Sequence, residues 1–326
     1  MSARLLLPIL VLFAVASVVF ALLAGSVDVT AAAVWTALTG TPTDTAARIV
    51  AELRLPRALS AFVVGGLLAL AGALMQVLLR NPLADPYVLG ISGGAAVAAL
   101  ATMLAGLGTF WVSVDAFAGA LLSMLLVFAV AHGRGGWTPT RLLLTGVVVA
   151  AGWGALISFM LAVSPERNLR GMLFWLMGDL AHAGTPAWSA VALATGMAAS
   201  LALARPLNLM ARGDLQAQAL GVAVGPLRLG IYFLGSMLTA AAVTVGGTIG
   251  FVGLIVPHAV RLIGGADHRI LLPAAVLAGG TLLVLADALA RIVIAPQQLP
   301  VGVLTALIGV PVFLFLLHRG APRGQP

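Results

Sequence analysis

Apolar runs dominate the chain, separated by short polar segments. Runs long enough to cross ~30 Å of hydrocarbon, about 20 residues at helical rise, fall at roughly 5–24, 58–79, 88–107, 115–131, 142–163, 187–204, 271–291 and 301–317. One further run, 229–263, has 35 residues, too many for one ordinary helix and few for two. It carries VGGTIG near its middle and VPH near its end. Gly and Pro are tolerated at membrane depth where other protein re-satisfies the freed backbone groups. The first run, Leu5 to Ala24, follows Arg4 and is too long for a cleaved signal core, so it reads as a retained first helix.

Charge decides how 229–263 is counted. Read as two crossings, 229–246 and 249–263, it makes ten helices with both termini on the side of Arg4, Arg80, Arg134, Arg141, Arg205, Arg212, Arg228, Arg261, Arg269, Arg319 and Arg323. The other side then holds Arg48, Arg54, Arg57, Arg167, Arg170 and Arg291, eleven against six. Read as one crossing, the division becomes eight against nine. Only ten helices obey the positive-inside rule, which places both ends in the cytoplasm. An echo between Gly72–Pro82 (GALMQVLLRNP) and Gly247–Pro257 (GTIGFVGLIVP) suggests an internal repeat, a common transporter device.

Composition narrows the function. Of 326 residues, 61% are hydrophobic and 8% charged, so the chain is an all-α polytopic membrane protein. All 17 basic residues are Arg, and without Lys there is no Walker A phosphate loop. The chain has no Cys, which excludes disulfides, thiolate metal sites and thiol catalysis. The net charge of +7 comes from dispersed loop arginines, a topology signal and not a nucleic-acid surface.

The longest cytoplasmic loop on this topology is 205–228, RPLNLMARGDLQAQALGVAVGPLR. Asp214 reads as an N-cap and Gly221 as the C′ residue of a short helix across the cytoplasmic mouth. Outside, ERNLRGMLFWLMGDLAHAG reads as an interfacial amphipathic helix, with Arg167, Arg170 and Asp179 among Phe174, Trp175 and Met177. Arg54, Arg57 and Arg291 read as snorkelling helix-end cations, with Asp287 positioned to neutralise Arg291 at i,i+4. Asn81 and Asp85 read as turn formers. His258, His268 and Asp267 lack helical zinc spacing and read as loop caps.

Leu53–Ala98, the 205–228 loop, Gly250–Gly280 and Leu299–Leu317 together resemble the FecCD/BtuC-type permeases, membrane subunits of bacterial ABC importers for ferric siderophores, haem and cobalamin. RNPLADP with LGISGGA and VPH…DHR…LLP carry the resemblance. It implies the ten-helix type II importer fold as one permease domain, 1–326, in the bacterial inner membrane. The implied partners are a second permease subunit, two cytoplasmic ATP-binding subunits and a periplasmic substrate-binding protein. No cofactor is implied for this chain, since ATP and Mg²⁺ belong to the partner ATPase, and no catalytic residue or metal site is implied.

The resemblance makes the 205–228 loop the element that couples to the ATPase, through Arg212, Gly213, Asp214, Ala217, Leu220 and Gly221. It makes Arg54, Arg57 and Arg291 the docking arginines for the binding protein. It places Thr138, Pro139, Thr140, Asn81, Pro82 and Asp85 near the cytoplasmic gate, and the 166–184 segment beside the bound chelate. QQLP at 297–300 departs from the family's usual acidic residue. An ion-coupled secondary transporter of a small solute is the rival class. It requires acidic or His residues at mid-membrane, where the apolar runs here are nearly free of charge.

Overall fold

α4 (Leu55–Leu78) is apolar all round and rich in Gly and Ala, and a helix of that kind belongs inside a bundle. In the computed structural model, which describes residues 3–40, 44–132 and 138–320, every side chain from Val63 to Leu78 is buried. Arg134 and Arg323, used above to orient the chain, lie outside the described residues. α1 (Ala3–Leu23), α12 (Val224–Gly246), α13 (Val252–Gly264) and α14 (His268–Ile292) surround α4. The approaches are close because both partners offer glycine. A Cβ on Gly65 would lie 2.2 Å from the Gly279 carbonyl oxygen, and one on Gly72 would lie 1.9 Å from that of Gly253. Lipid tails are as apolar as Leu, so helices in a bilayer associate through such backbone-close packing and not through the hydrophobic effect.

The remaining helices build outward. α2 (Ala31–Thr39) and α3 (Thr45–Arg48) lead through a π-helical segment, Ile49–Arg54, into α4. A turn of 3₁₀ helix, Pro86–Leu89, leads into α5 (Ile91–Leu104), which packs on α6 (Thr109–Ala131) through Gly94 and Gly119. α7 (Pro139–Val163) and the amphipathic α8 (Glu166–Met177) follow. α9 (Ala187–Ala202) and α10 (Ala204–Met210) meet at a 61° bend, and α11 (Asp214–Ala219) is the short helix expected within 205–228. α15 (Val301–Gly320) ends the described chain.

Among the described residues, six helices or helix runs are long and apolar enough to cross a membrane, and the bent α9–α10 pair is a seventh candidate. α5, α13 and α15 are shorter apolar helices. The chain is therefore multi-pass. The run 229–263 does divide, but unequally: α12 begins at Val224 and has 23 residues, whereas α13 has only 13. The echo between 72–82 and 247–257 does not extend to local structure. The first segment is helix and then turn; the second is a break followed by helix, with Pro257 inside α13.

The break between α12 and α13 frees backbone groups in the middle of the bundle, and neighbouring elements take them up. Gly247 has φ +67 and would place a Cβ 2.3 Å from the Trp175 carbonyl oxygen, so only glycine fits there. Ile249 N–H donates to the Tyr87 hydroxyl (3.2 Å), and Gly302 N–H donates to the Gly178 carbonyl (3.2 Å). The Thr248 hydroxyl donates to the Leu176 carbonyl. The interrupted ends before α5, after α8, between α12 and α13 and at the start of α15 thus share one junction. Discontinuous helices meeting at depth are a transporter feature.

Gly72→Ala tests the close packing. The added methyl meets backbone, which cannot rotate away, so the purified chain is expected to lose more than about 2 kcal/mol and melt several degrees lower. Gly230→Ala on α12, where a Cβ meets nothing within 4 Å, should melt no lower than the wild type. Equal melting of the two variants would refute the packing argument.

Candidate functional site

Two charged assemblies lie at opposite ends of α4. At its N-terminal end, Arg54, Arg57 and Arg291 are only 5%, 8% and 5% exposed. This corrects the snorkelling reading: the three guanidinium groups point into the protein. Arg57 grips Asp287 through Nε (3.0 Å to each carboxylate oxygen) and Nη2 (2.8 Å to Oδ1). Its Nη1 donates to Gln298 Oε1 (2.7 Å). Gln298 thus supplies a neutral acceptor from the QQLP stretch. Asp287 does reach Arg291 at i,i+4 (3.3 Å), but Arg57 is its closer partner.

Arg54 and Arg291 do a second job. The last turn of α1 has carbonyls without intrahelical donors. Arg54 donates to Leu22 O (2.8 Å), Leu23 O (2.9 Å) and Val27 O (2.5 Å), and Arg291 to Ala21 O (3.0 Å) and Ala24 O (3.1 Å). Cations at a helix C-terminus also suit its dipole. Gly25 leaves room for the Arg54 guanidinium, since a Cβ there would lie 2.5 Å from Nη2. Sequence spacing could not expose this, because the partners lie 27 to 270 residues apart.

At the other end of α4 stands α11. Asp214 is not the N-cap; Gly213, at φ +125, occupies that position, and Asp214 begins the helix without a capping bond. Its carboxylate instead forms ion pairs with Arg80, just after α4, and Arg228, near the start of α12. Sequence reasoning placed neither arginine in the site. Gly221 does take the C′ position (φ +82), with Val222 N–H donating to Ala217 O and Gly221 N–H to Gln218 O. Ala217, expected among the residues that couple to the ATPase, is fully buried in the chain's own core. The outward surface presents Leu215 and Leu220, 83% and 65% exposed, beside exposed Gln216, Gln218 and Ala219, with Arg212 nearby and also exposed.

The expected gate residues are structural first. Thr138 Oγ1 caps α7 by accepting from Arg141 N–H (3.2 Å), with Pro139 opening the helix and Thr140 exposed. Asn81 Oδ1 accepts from Leu83 N–H (2.9 Å), with Pro82 exposed between them, and Asp85 Oδ1 accepts from Tyr87 N–H (2.8 Å). Burial raises the Asp85 carboxyl to about 6, against the lowering effect of the Tyr87 bond. His258 is not a loop cap but lies within α13. Asp267 does cap α14, and His268 Nδ1 meets Asn208 Oδ1 at 2.6 Å, tying α10 to α14. Beside α8, a cavity of about 730 Å³ is lined by Ser60, Arg167, Arg170, Trp175, Asp179 and His182, with the Arg170 guanidinium over the Phe174 ring at 5.5 Å.

Residues 11–319 match the FecCD transport family. This chain belongs to that family. The FecCD chain is 46% identical over 282 residues to the cobalamin import system permease protein of Halobacterium salinarum, covering 84% of this chain and 74% of the relative. It is 43% identical over 282 residues to the hemin transport system permease protein of Yersinia pestis, covering 82% of each. A solved structure described as an inward-facing conformation of a metal-chelate type ABC transporter superposes with TM-score 0.85 at 32% identity, over 96% of this chain and 98% of that one.

Asp287→Ala strands the Arg57 and Arg291 guanidinium groups in a buried site. Removing one partner of a buried pair costs about 3–5 kcal/mol, so the FecCD chain should melt markedly lower, and adding Arg57→Leu should restore part of the loss. Wild-type melting of the single variant would contradict the assignment. Asp85 supplies a pH test. Its folded-state carboxyl titrates higher than the unfolded one, so ionisation weakens the fold as pH rises through about 6. Asp85→Asn keeps the acceptor for Tyr87 N–H and removes the charge; it should raise the melting temperature at pH 7.5 but not at about pH 3, below both titrations. A gain of the same size at both pH values would remove the electrostatic explanation.

Proposed function

We propose that the FecCD chain is the membrane subunit of an ABC importer that moves a bulky metal chelate into the cytoplasm by alternating access. Its relatives are named as permeases for cobalamin and hemin, and a ferric siderophore belongs to the same cargo class. The chain needs no cofactor of its own. ATP and Mg²⁺ are used by two separate cytoplasmic subunits, and a periplasmic binding protein delivers the cargo. Ten crossings, with both termini in the cytoplasm of a bacterial inner membrane, remain the best topology. The arginine bias and the three shorter apolar helices beside the longer ones support it.

The observation that carries the proposal is α11: a six-residue helix at the Arg80 end of α4, anchored by Ala217 and presenting Leu215 and Leu220 outward. Two exposed leucines on so short an element suit a cleft on a partner. The topology puts that end in the cytoplasm, where an ATPase works. At the opposite end, three arginines against Asp287 within the cluster and Asp28 beside Arg54 leave excess positive charge. That charge supports docking of an acidic binding protein there through its field, with Arg54, Arg57 and Arg291 as the source. α7 supports a second copy of the chain as partner: it is almost wholly exposed, and Gly154 and Ser158, one turn apart, open a small-residue face on it. An ion-coupled mechanism draws no support from Asp287, whose carboxylate is committed to two arginines.

Leu220→Asp and Leu215→Asp each put a charge where an apolar anchor should enter the ATPase. An unpaired charge buried at an interface costs several kcal/mol, on the order of 3–5, so the ATPase subunits should no longer co-purify, while Gln218→Ala should retain them. Normal ATPase recovery with both leucine variants would make α11 merely a cover on the bundle.

A further inference from the structure

The coupling helix must be joined to the bundle as well as to the ATPase. We infer that Asp214 is a positioning residue, whose carboxylate, bridging Arg80 and Arg228, registers α11 to the ends of α4 and α12 so that displacement of α11 moves both helices. This inference rests on the reading of α11 as the ATPase-docking helix. It assigns Asp214 to the inward side of that helix, leaving the partner contact to Leu215 and Leu220.

Three observations carry it. First, the carboxylate makes no capping bond to its own helix: the N-cap position belongs to Gly213. Both ion pairs lead to other elements, Arg80 at the end of α4 and Arg228 at the start of α12. Second, Arg80 stands at φ +49, where non-glycine residues are uncommon. Arg80 N–H donates to Val77 O and Asn81 N–H to Gln76 O, the bonding pattern of a helix stop whose C′ position usually holds glycine. α11 ends on the same pattern with Gly221 at C′. At the end of α4 an arginine fills the equivalent position, and its side chain meets Asp214. Third, the two helices so joined lead to the junction inside the bundle. α4 and α12 pack along each other, and α12 ends where Thr248 bonds Leu176 after the course of α8 and Ile249 bonds Tyr87.

The Asp214 side chain is 22% exposed, and its partners Arg80 and Arg228 are 43% and 17% exposed. Partly solvated pairs of this kind add little to global stability, so their removal should loosen α11 without unfolding the chain. That permits a clean experiment. In the full chain in nanodiscs, Asp214→Asn and Arg80→Gln should each speed amide exchange of residues 215–222 by about fivefold to tenfold. The double variant should be no faster than the faster single one, Asp214→Glu should stay near wild type, and the melting temperature should not move. In the complex with its co-purified ATPase subunits, ATP should alter exchange at residues 247–251 of the wild type. With Asp214→Asn the ATPase should remain bound while that response shrinks severalfold.

Unchanged exchange of 215–222 in Asp214→Asn would overturn the inference. So would loss of the ATPase from Asp214→Asn as complete as from Leu220→Asp, which would make Asp214 a contact residue. An ATP response at 247–251 that is equally large in wild type and Asp214→Asn would also overturn it. If Leu220→Asp keeps its ATPase while the exchange of 215–222 behaves as stated, the docking reading fails and the registration of α11 stands.

Discussion

The structure depends on the contact of α4 with the backbones of its neighbours. Gly65 against Gly279 and Gly72 against Gly253 bring main chains together at distances that leave no space for a methyl group. In a bilayer this contact replaces the hydrophobic effect as the source of association. It makes α4 a rigid axis with α1, α12, α13 and α14 around it. Each end of that axis then becomes a place where charge can be held in fixed geometry.

The two ends are built differently because their surroundings differ. At Arg57 the charges are buried, so every donor needs an acceptor; Asp287, Gln298 and the last carbonyls of α1 supply them. Such a cluster is costly to disrupt and well suited to fixing three helices relative to one another. At Arg80 the charges are partly solvated, and the Asp214 bridge holds a short helix whose other face is open. A tight end and an adjustable end suit a protein driven from one side. Between them the interrupted helices share hydrogen bonds through Thr248, Ile249 and Gly302, so the middle of the bundle joins α8, α13 and α15 by polar contacts as well as by close backbone packing at Gly247 and Gly302.

Much of this was legible before any coordinates. Apolar run length gave the membrane class, because hydrocarbon thickness acts directly on local sequence. RNPLADP with LGISGGA and VPH…DHR…LLP identified the family. The turn formers Asn81, Asp85 and Gly221 were legible for the same reason: each acts on its own neighbours.

The sequence by itself determined what depends on a residue and the few beside it: span, turn, cap and family motif. The tertiary structure alone decided which side chains face inward and with whom they pair. Arg54, Arg57 and Arg291 look like solvated helix-end cations in the chain and prove to be buried caps and clamps. Asp214 looks like an N-cap and is a bridge; Ala217 looks like a partner surface and is core. The physical reason is common to all of them. A helix-end charge is equally acceptable in water or against an acceptor, and only packing brings the acceptor: Asp287 lies 230 residues from Arg57, and Leu22 lies 32 from Arg54.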